Sequence, residues 1–127
     1  MRTAIVMAFL LSAHLVQAQI AYKVVDSTSY ALYTQKDWKA LASFGQQAVE
    51  GGNDFYLLNI RTGIAFYELG RLHKAESYFT KAVSQNAAST LGKEYLFWIY
   101  KQTARAVEAA HTFAQLPDSL QANLNYA

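Results

Sequence analysis

A turn between two helices is predicted by the stretch Gly63-Ile64-Ala65-Phe66-Tyr67-Glu68-Leu69-Gly70-Arg71-Leu72-His73-Lys74-Ala75. Apolar residues recur at helical spacing on both sides of Gly70, in residues 55–69 before it and 72–83 after it. Glycine readily adopts the left-handed backbone conformation that often ends a helix. The stretch therefore predicts an antiparallel helical hairpin in which each helix buries one apolar stripe.

The same pattern recurs at a fixed interval of thirty-four positions along the chain. The matched pairs are Ala48 and Ala82, Val49 and Val83, Ala75 and Ala109, and Phe79 and Phe113. This period predicts three hairpins in succession, at about residues 22–55, 56–89 and 90–123. Since one hairpin cannot bury its own stripe, we expect neighbouring hairpins to stack and stabilise each other.

The residue pattern resembles the tetratricopeptide repeat (TPR). That signature has a small residue and an aromatic in the first helix, a turn glycine, and an Ala, aromatic, Ala series in the second helix. In the middle repeat these slots hold Gly63, Phe66, Gly70, Ala75, Phe79 and Ala82. The first repeat keeps Trp38, and the third keeps Ala109 and Phe113. The resemblance implies an all-α fold, a right-handed α-solenoid of about three antiparallel hairpins.

Three residues depart from the repeat pattern. Leu41 and Gly45 stand where the first repeat should have an alanine and an aromatic, and Phe97 occupies the small slot of the third repeat. After the third hairpin, Pro117 is well placed to open another helix. We expect these departures to change the local packing and to leave the hairpins intact.

The first eighteen residues are typical of a signal peptide. Arg2 gives a positive start, residues 3–16 form an apolar run, and Val16-Gln17-Ala18 places small side chains where a signal peptidase requires them. Cleavage would leave residues 19–127 as the repeat domain. The alternative is an uncleaved membrane anchor, but the apolar run reaches only about 21 Å, less than a hydrocarbon core of about 30 Å.

The chain contains no cysteine. This excludes disulfides, thiolate metal sites and a catalytic thiol. Export without disulfides favours a bacterial envelope, so we expect the protein in the periplasm or associated with the outer membrane. Eleven Lys and Arg residues nearly balance nine Asp and Glu residues, and the basic ones are scattered, which argues against nucleic acid as a partner.

Catalytic and cofactor motifs are absent from the sequence. Glu108 and His111 would share one helical face, which is half of a di-iron motif, but His73 and Glu76 have the reverse order in another hairpin. The carboxylates are spread over several predicted hairpins, and general acid-base chemistry requires them in one cleft. We therefore expect neither an enzyme nor a metal or cofactor site.

The resemblance also implies a concave groove lined by the first helices, where a peptide or protein would bind. Its inward positions here are Tyr30, Tyr33, Ile60, Ile64, Tyr67, Trp98 and Lys101. Aromatic and branched apolar groups suit an extended or helical peptide. The alternative is that Ile60 and Ile64 are covered by the next hairpin or by a C-terminal segment.

Together these features predict a non-catalytic protein–protein interaction scaffold of the bacterial envelope. The alternative is a soluble N-terminal head that positions a missing C-terminal β-barrel domain in a longer outer-membrane protein. The short segment after Pro117 favours that alternative, because repeat arrays normally end in a full capping helix. Membrane association would then come through the missing C-terminal region.

Overall fold

The computed structural model describes residues 2–125, which form seven α-helices without a strand. The helices are α1 Arg2–Thr34, α2 Trp38–Glu50, α3 Tyr56–Glu68, α4 Leu72–Gln85, α5 Thr90–Gln102, α6 Ala106–Ala114 and α7 Asp118–Asn125. The predicted all-helical fold is confirmed for this part of the chain. Met1, Tyr126 and Ala127, the outermost residues of the predicted signal peptide and repeat domain, lie outside the described residues.

The helix boundaries repeat at the interval found in the sequence. α2, α4 and α6 begin at Trp38, Leu72 and Ala106, and α3 and α5 begin at Tyr56 and Thr90, so equivalent helices are evenly spaced along the chain. Each helix from α2 to α5 packs against the helices before and after it, and α1 also contacts α3. The helices therefore have a repeat-like arrangement.

The three equivalent turns share an uncommon backbone conformation. Lys36, Gly70 and Ala104 all have positive φ, at 55°, 73° and 56°. At the middle turn the N–H of Arg71 donates to the carbonyl of Phe66 at 2.8 Å, and the same bond recurs at the other two turns. A left-handed residue with this bond ends a helix and reverses the chain within a few residues. Gly70 thus marks the turn as predicted.

Small residues bring the helices of the second hairpin close together. Ala75, Phe79 and Ala82 are fully buried, and Phe66 is almost so. A Cβ added at Gly63 would lie 2.9 Å from Cε1 of Phe79, closer than a side chain allows. The small slot of the middle repeat therefore makes room for the aromatic ring on the facing helix.

The departures from the repeat pattern have local structural consequences. In the first hairpin, Gly45 stands where the second has Phe79, and a Cβ added there would lie 2.0 Å from Oγ1 of Thr62. In the third hairpin, Phe97 replaces the small residue, and its ring centroid lies 5.6 Å from that of Phe113, which is only half-buried. The hairpins therefore share their backbone pattern and differ in packing.

Two apolar clusters form the core of the part of the chain that the structure describes. The main cluster joins α2 to α5 and includes Leu41, Ile64, Phe79 and Ile99. Half-buried Trp38 packs against its edge. The second cluster joins α5, α6 and α7 and consists of Phe97, Ala109, Leu116 and Leu124.

The two ends of the described chain differ from the repeat pattern. α1 is continuous from Arg2 to Thr34 and passes through the predicted cleavage site. A window within Ile5–Thr34 has a mean hydropathy of 1.6 with none of it buried, so by length and composition this helix could cross a membrane, but a signal sequence near the N-terminus has the same properties. At the other end, α6 stops at Ala114 and α7 starts directly after Pro117, as expected for a proline at a helix start.

The starts of α5 and α3 differ in their capping residues. Ser89 is the N-cap of α5, and its hydroxyl accepts a hydrogen bond from the N–H of Gly92. The residue before α3 is Phe55, whose side chain makes no capping hydrogen bond. Asp54 accepts hydrogen bonds from Asn59 and from the end of α4, because the buried Asn59 amide needs an acceptor.

Candidate partner-binding surface

Exposed tyrosines lie near the end of α1. Tyr30 has 56% of its surface exposed and Tyr33 has 36%, so both side chains can contact a partner. The Tyr33 ring packs edge-on against Trp38 at 6.0 Å between centroids. The guanidinium of Arg61 lies 5.2 Å from the centroid of Tyr30. Both rings are therefore held by neighbours on other helices while part of each remains accessible.

Arg61 joins α3 to α1 beneath these tyrosines. Its Nη1 donates to Oδ1 of Asp26 at 2.7 Å and to Oγ of Ser29 at 2.9 Å. Only 12% of the Arg61 side chain is exposed. Asp26 is the acidic partner of Arg61 in this ion pair. The contact fixes the end of α1 on the second hairpin and so positions Tyr30.

Aromatic side chains also contact each other between α3 and α5. Tyr67 packs edge-on against Tyr95 at 5.1 Å, and its hydroxyl accepts a hydrogen bond from Nε2 of Gln102 at 2.7 Å. Burial raises the pKa of Tyr95, and the nearby Glu68, Tyr33 and Tyr67 raise it further. Tyr67 and Tyr95 therefore form one aromatic contact between α3 and α5.

Trp98 extends this surface along α5. It is half-buried and lines a cavity of about 220 Å³ with Leu91, Glu94 and Tyr95. Sequence reasoning had missed Tyr95, although it lies three residues before Trp98. We call Tyr30, Tyr33, Tyr67, Tyr95 and Trp98 the aromatic row.

Ile60 and Ile64 do not line an open groove. They are only 5% and 4% exposed, and both belong to the main core cluster with Leu96 and Ile99 of α5. A Cβ added at Gly92 would lie 3.5 Å from Cδ1 of Ile60, which shows how closely α5 approaches. The alternative reading, in which the next hairpin covers these isoleucines, is the one the structure shows.

Lys101 lies on α5, at the boundary between the aromatic row and the third hairpin's apolar residues. Its Nζ is 5.6 Å from the ring centroids of both Phe97 and Trp98. It borders an apolar cleft of about 560 Å³, which we call the end cleft. The cleft is lined by Phe97, Tyr100, Lys101, Ala104, Arg105, Ala106, Ala109, Ala110, Phe113 and Leu124.

The carboxylates and histidines of the described chain do not converge on a reactive centre. No group of three His, Asp or Glu side chains within residues 2–125 could hold a metal ion. Glu76 and Glu108 both accept hydrogen bonds from Arg105, at 2.7 Å and 3.1 Å. His111 is exposed on α6. The two ion pairs of Arg105 join α4 to the start of α6, and the aromatic row and the end cleft are the better candidates for function.

Comparison with known proteins gives no relative from which function could be transferred. No protein-family model matches the chain, and no curated protein or solved structure is significantly similar to it. Function is therefore argued from the residues of this chain alone.

Proposed function

We propose that this protein is a non-catalytic interaction scaffold of the TPR type, which binds a protein or peptide through its aromatic row. The observation that carries the proposal is the partial exposure of Tyr30, Tyr33, Tyr67 and Trp98 along the first helices of successive hairpins. A right-handed solenoid of three hairpins is the architecture we infer. The equivalent helix starts and the left-handed turn residues support it.

Aromatic side chains suit this role for energetic reasons. Tyrosine and tryptophan offer a large contact area at a small cost in conformational entropy, and they dominate the binding energy of many interfaces. Here neighbouring side chains already hold several of the rings, since Arg61 lies over Tyr30 and Tyr95 packs against Tyr67. These side chains would therefore lose little further conformational freedom when a partner binds.

A photo-crosslinking experiment tests the proposal. A benzophenone amino acid is placed at Tyr33 in the row, and at Val107 on α6 as a control that is more exposed than Tyr33. Crosslinking in envelope extract should capture a defined protein from Tyr33 and not from Val107, and Tyr30→Ala should reduce the yield. Equal capture from both positions, or no effect of Tyr30→Ala, would contradict a role for the row.

We also propose that the protein is exported and works in the bacterial envelope, in the periplasm or at the outer membrane. The apolar side chains of α1 support membrane targeting, because Ile5, Phe9, Leu11 and Leu15 are each more than half exposed. The sequence of the mature N-terminus separates the two forms of this proposal. A start at Gln19 indicates a cleaved signal peptide, whereas an intact N-terminus in the membrane fraction indicates an anchor.

The second candidate function is that of a head which positions a membrane domain. An α1 that remains in the bilayer, or a further domain after α7, would tether the hairpins at a membrane surface. Extraction of the native protein distinguishes this role from that of a free scaffold. A scaffold released by signal cleavage should be recovered by osmotic shock, and a tethered head should require detergent.

A further inference from the structure

The end cleft lies on the third hairpin. The equivalent surface of the second hairpin is covered by another helix. Its residues Phe97, Lys101 and Phe113 follow Gly63, Tyr67 and Phe79 of the second hairpin by one repeat interval. In the second hairpin this surface is covered by α5. The Tyr95 ring stacks on Phe79 with 4.7 Å between centroids and 9° between planes. The element that covers this surface on the second hairpin is therefore a helix, the first helix of the hairpin that follows.

The helix after the third hairpin covers the equivalent surface only in part. α7 begins at Asp118, six residues before the position that the repeat interval assigns to the next first helix. Of its side chains, Leu124 reaches the end cleft, and Leu120 packs beside the second core cluster. A volume of about 560 Å³ remains, which is within the range of known binding clefts.

The lining residues indicate the chemistry of an occupant. Phe113 takes the place of Phe79, so an aromatic ring that stacks on it would reproduce the contact made by Tyr95. Lys101 takes the place of Tyr67, whose hydroxyl accepts a hydrogen bond from Gln102. Because lysine is a cation that only donates, the equivalent group on an occupant should be a carboxylate.

The spacing of these two groups follows from α5 itself. Tyr95 and Gln102 are seven residues apart, which is two helical turns, and Ile99 lies between them on the same face, fully buried. An occupant that copies this arrangement has an aromatic residue, an apolar residue four positions later and an acidic residue seven positions after the first. These three side chains form one face of an amphipathic helix.

We propose that the end cleft is a second binding site, for an amphipathic helix of a partner protein that presents an aromatic ring and, two turns later, a carboxylate. The helix would extend the stack of the hairpins, as α5 does on the second one. This site shares none of its lining residues with the aromatic row, and it rests on the equivalence of the second and third hairpins.

A designed peptide tests the proposal. The probe is a fluorescent peptide with the sequence of residues 90–102 and the substitution Gln102→Glu, and its fluorescence anisotropy is measured with the full chain. We expect saturable binding that becomes at least about tenfold weaker with Lys101→Glu, because like charges then meet at the cleft. A second peptide with Gln102→Lys should bind the Lys101→Glu protein more tightly than the unsubstituted protein. Charge reversal on both sides thus restores the contact.

Two further variants locate the binding. Ala110 is exposed on α6 and lines the cleft, so Ala110→Trp should fill the cleft and abolish binding without unfolding the chain, as circular dichroism checks. Tyr30→Ala, in the aromatic row, should leave the peptide affinity unchanged, so failure of the row and failure of the cleft can be told apart.

Three results would overturn the proposal. One is peptide affinity that does not respond to Lys101→Glu or Ala110→Trp, which would indicate that the peptide replaces α5 in its own position. Another is binding that appears only after residues 126–127 are deleted, which would make the chain's own C-terminus the occupant. The third is the absence of saturable binding by either peptide.

Discussion

Gly45 allows α2 and α3 to approach each other more closely than any side chain would permit. A Cβ at this position would lie 2.0 Å from Oγ1 and 2.8 Å from Cγ2 of Thr62. Both residues are buried, and the Thr62 hydroxyl has no hydrogen-bond partner within the described residues. The helices can therefore approach this closely only because Gly45 has no side chain, and the Thr62 hydroxyl beside it stays without a hydrogen bond.

Gly45→Ala should destabilise the protein by about 1–3 kcal/mol, as overpacking a core does. The helix propensity of alanine would favour the substitution by about 1 kcal/mol, so a net loss shows that the steric clash dominates. Urea unfolding measures the change. Adding Thr62→Ala should recover part of the loss, because it removes the two closest atoms, and strict additivity of the two substitutions would contradict this account.

Asp54 accepts a hydrogen bond from a buried side-chain amide between α3 and α4. Asn59 is fully buried, and its Nδ2 donates to Oδ1 of Asp54 at 2.7 Å and to Oε1 of Gln85 at 2.9 Å. Lys81 donates to the other carboxylate oxygen at 3.0 Å. The hydrogen bond from Asn59 is the main cause that lowers the pKa of Asp54 below its ordinary value of 3.8, and the bonds from Lys81 and Gln85 add to it.

Asp54→Ala should cost about 1–3 kcal/mol at pH 7, because it removes one acceptor from a buried donor. The pKa of Asp54 is lower in the folded state than in the unfolded state. Ionised Asp54 therefore stabilises the fold at any pH above its ordinary pKa, and this stabilisation is lost as the pH falls through the lowered pKa. The stability difference between the two proteins should thus be constant near neutral pH and shrink below about 4. Urea unfolding across pH, with Glu68→Ala as an exposed control, checks this. A difference that grows on acidification would contradict it.

At the scale of the elements, the sequence indicated where hairpins begin because every repeat carries its own turn. The predicted hairpin starts at about residues 56 and 90 coincide with the first residues of α3 and α5, and Pro117 lies directly before α7. Periodicity could not predict that Ile60 and Ile64 are buried, since α3 has two apolar faces and the pattern does not tell which one a later helix covers. Tyr95 was missed for the same reason, because its contacts with Tyr67 and Phe79 depend on how α5 packs.

The three left-handed turn residues give a matched series for testing the backbone. Gly70→Ala should destabilise the protein by about 1 kcal/mol, because a residue that has a Cβ is strained at positive φ. Ala104→Gly should stabilise it by a similar or smaller amount, since the strain is relieved but the unfolded chain gains freedom. Thermal and urea unfolding of both variants measure the effects. A loss of stability in Ala104→Gly would contradict the equivalence of the turns.

At the scale of the whole molecule, the two core clusters divide the chain into regions of different stability. The main cluster joins four helices, whereas the second consists of four buried residues around α6 and the short α7. Local opening requires the loss of only those apolar contacts that hold the opening segment. The end cleft next to the second cluster leaves that segment with fewer contacts still. We therefore expect α6 and α7 to open without the rest of the fold.

Native-state hydrogen exchange tests this division with two matched substitutions. Ile99→Ala, in the main cluster, should cost about 2–5 kcal/mol and lower the protection of amides throughout α3, α4 and α5 together. Leu116→Ala, in the second cluster, should accelerate exchange in α6 and α7 and leave the most protected amides of α3 unchanged. Both side chains are buried, at 0% and 4% exposed. A difference between the exchange patterns of the two variants therefore reflects the cluster to which each residue belongs, and not how deeply it is buried. If Leu116→Ala lowered the protection of α3 as much as that of α7, the hairpins would form a single cooperative unit, and a helix bound in the end cleft would then stabilise the entire fold.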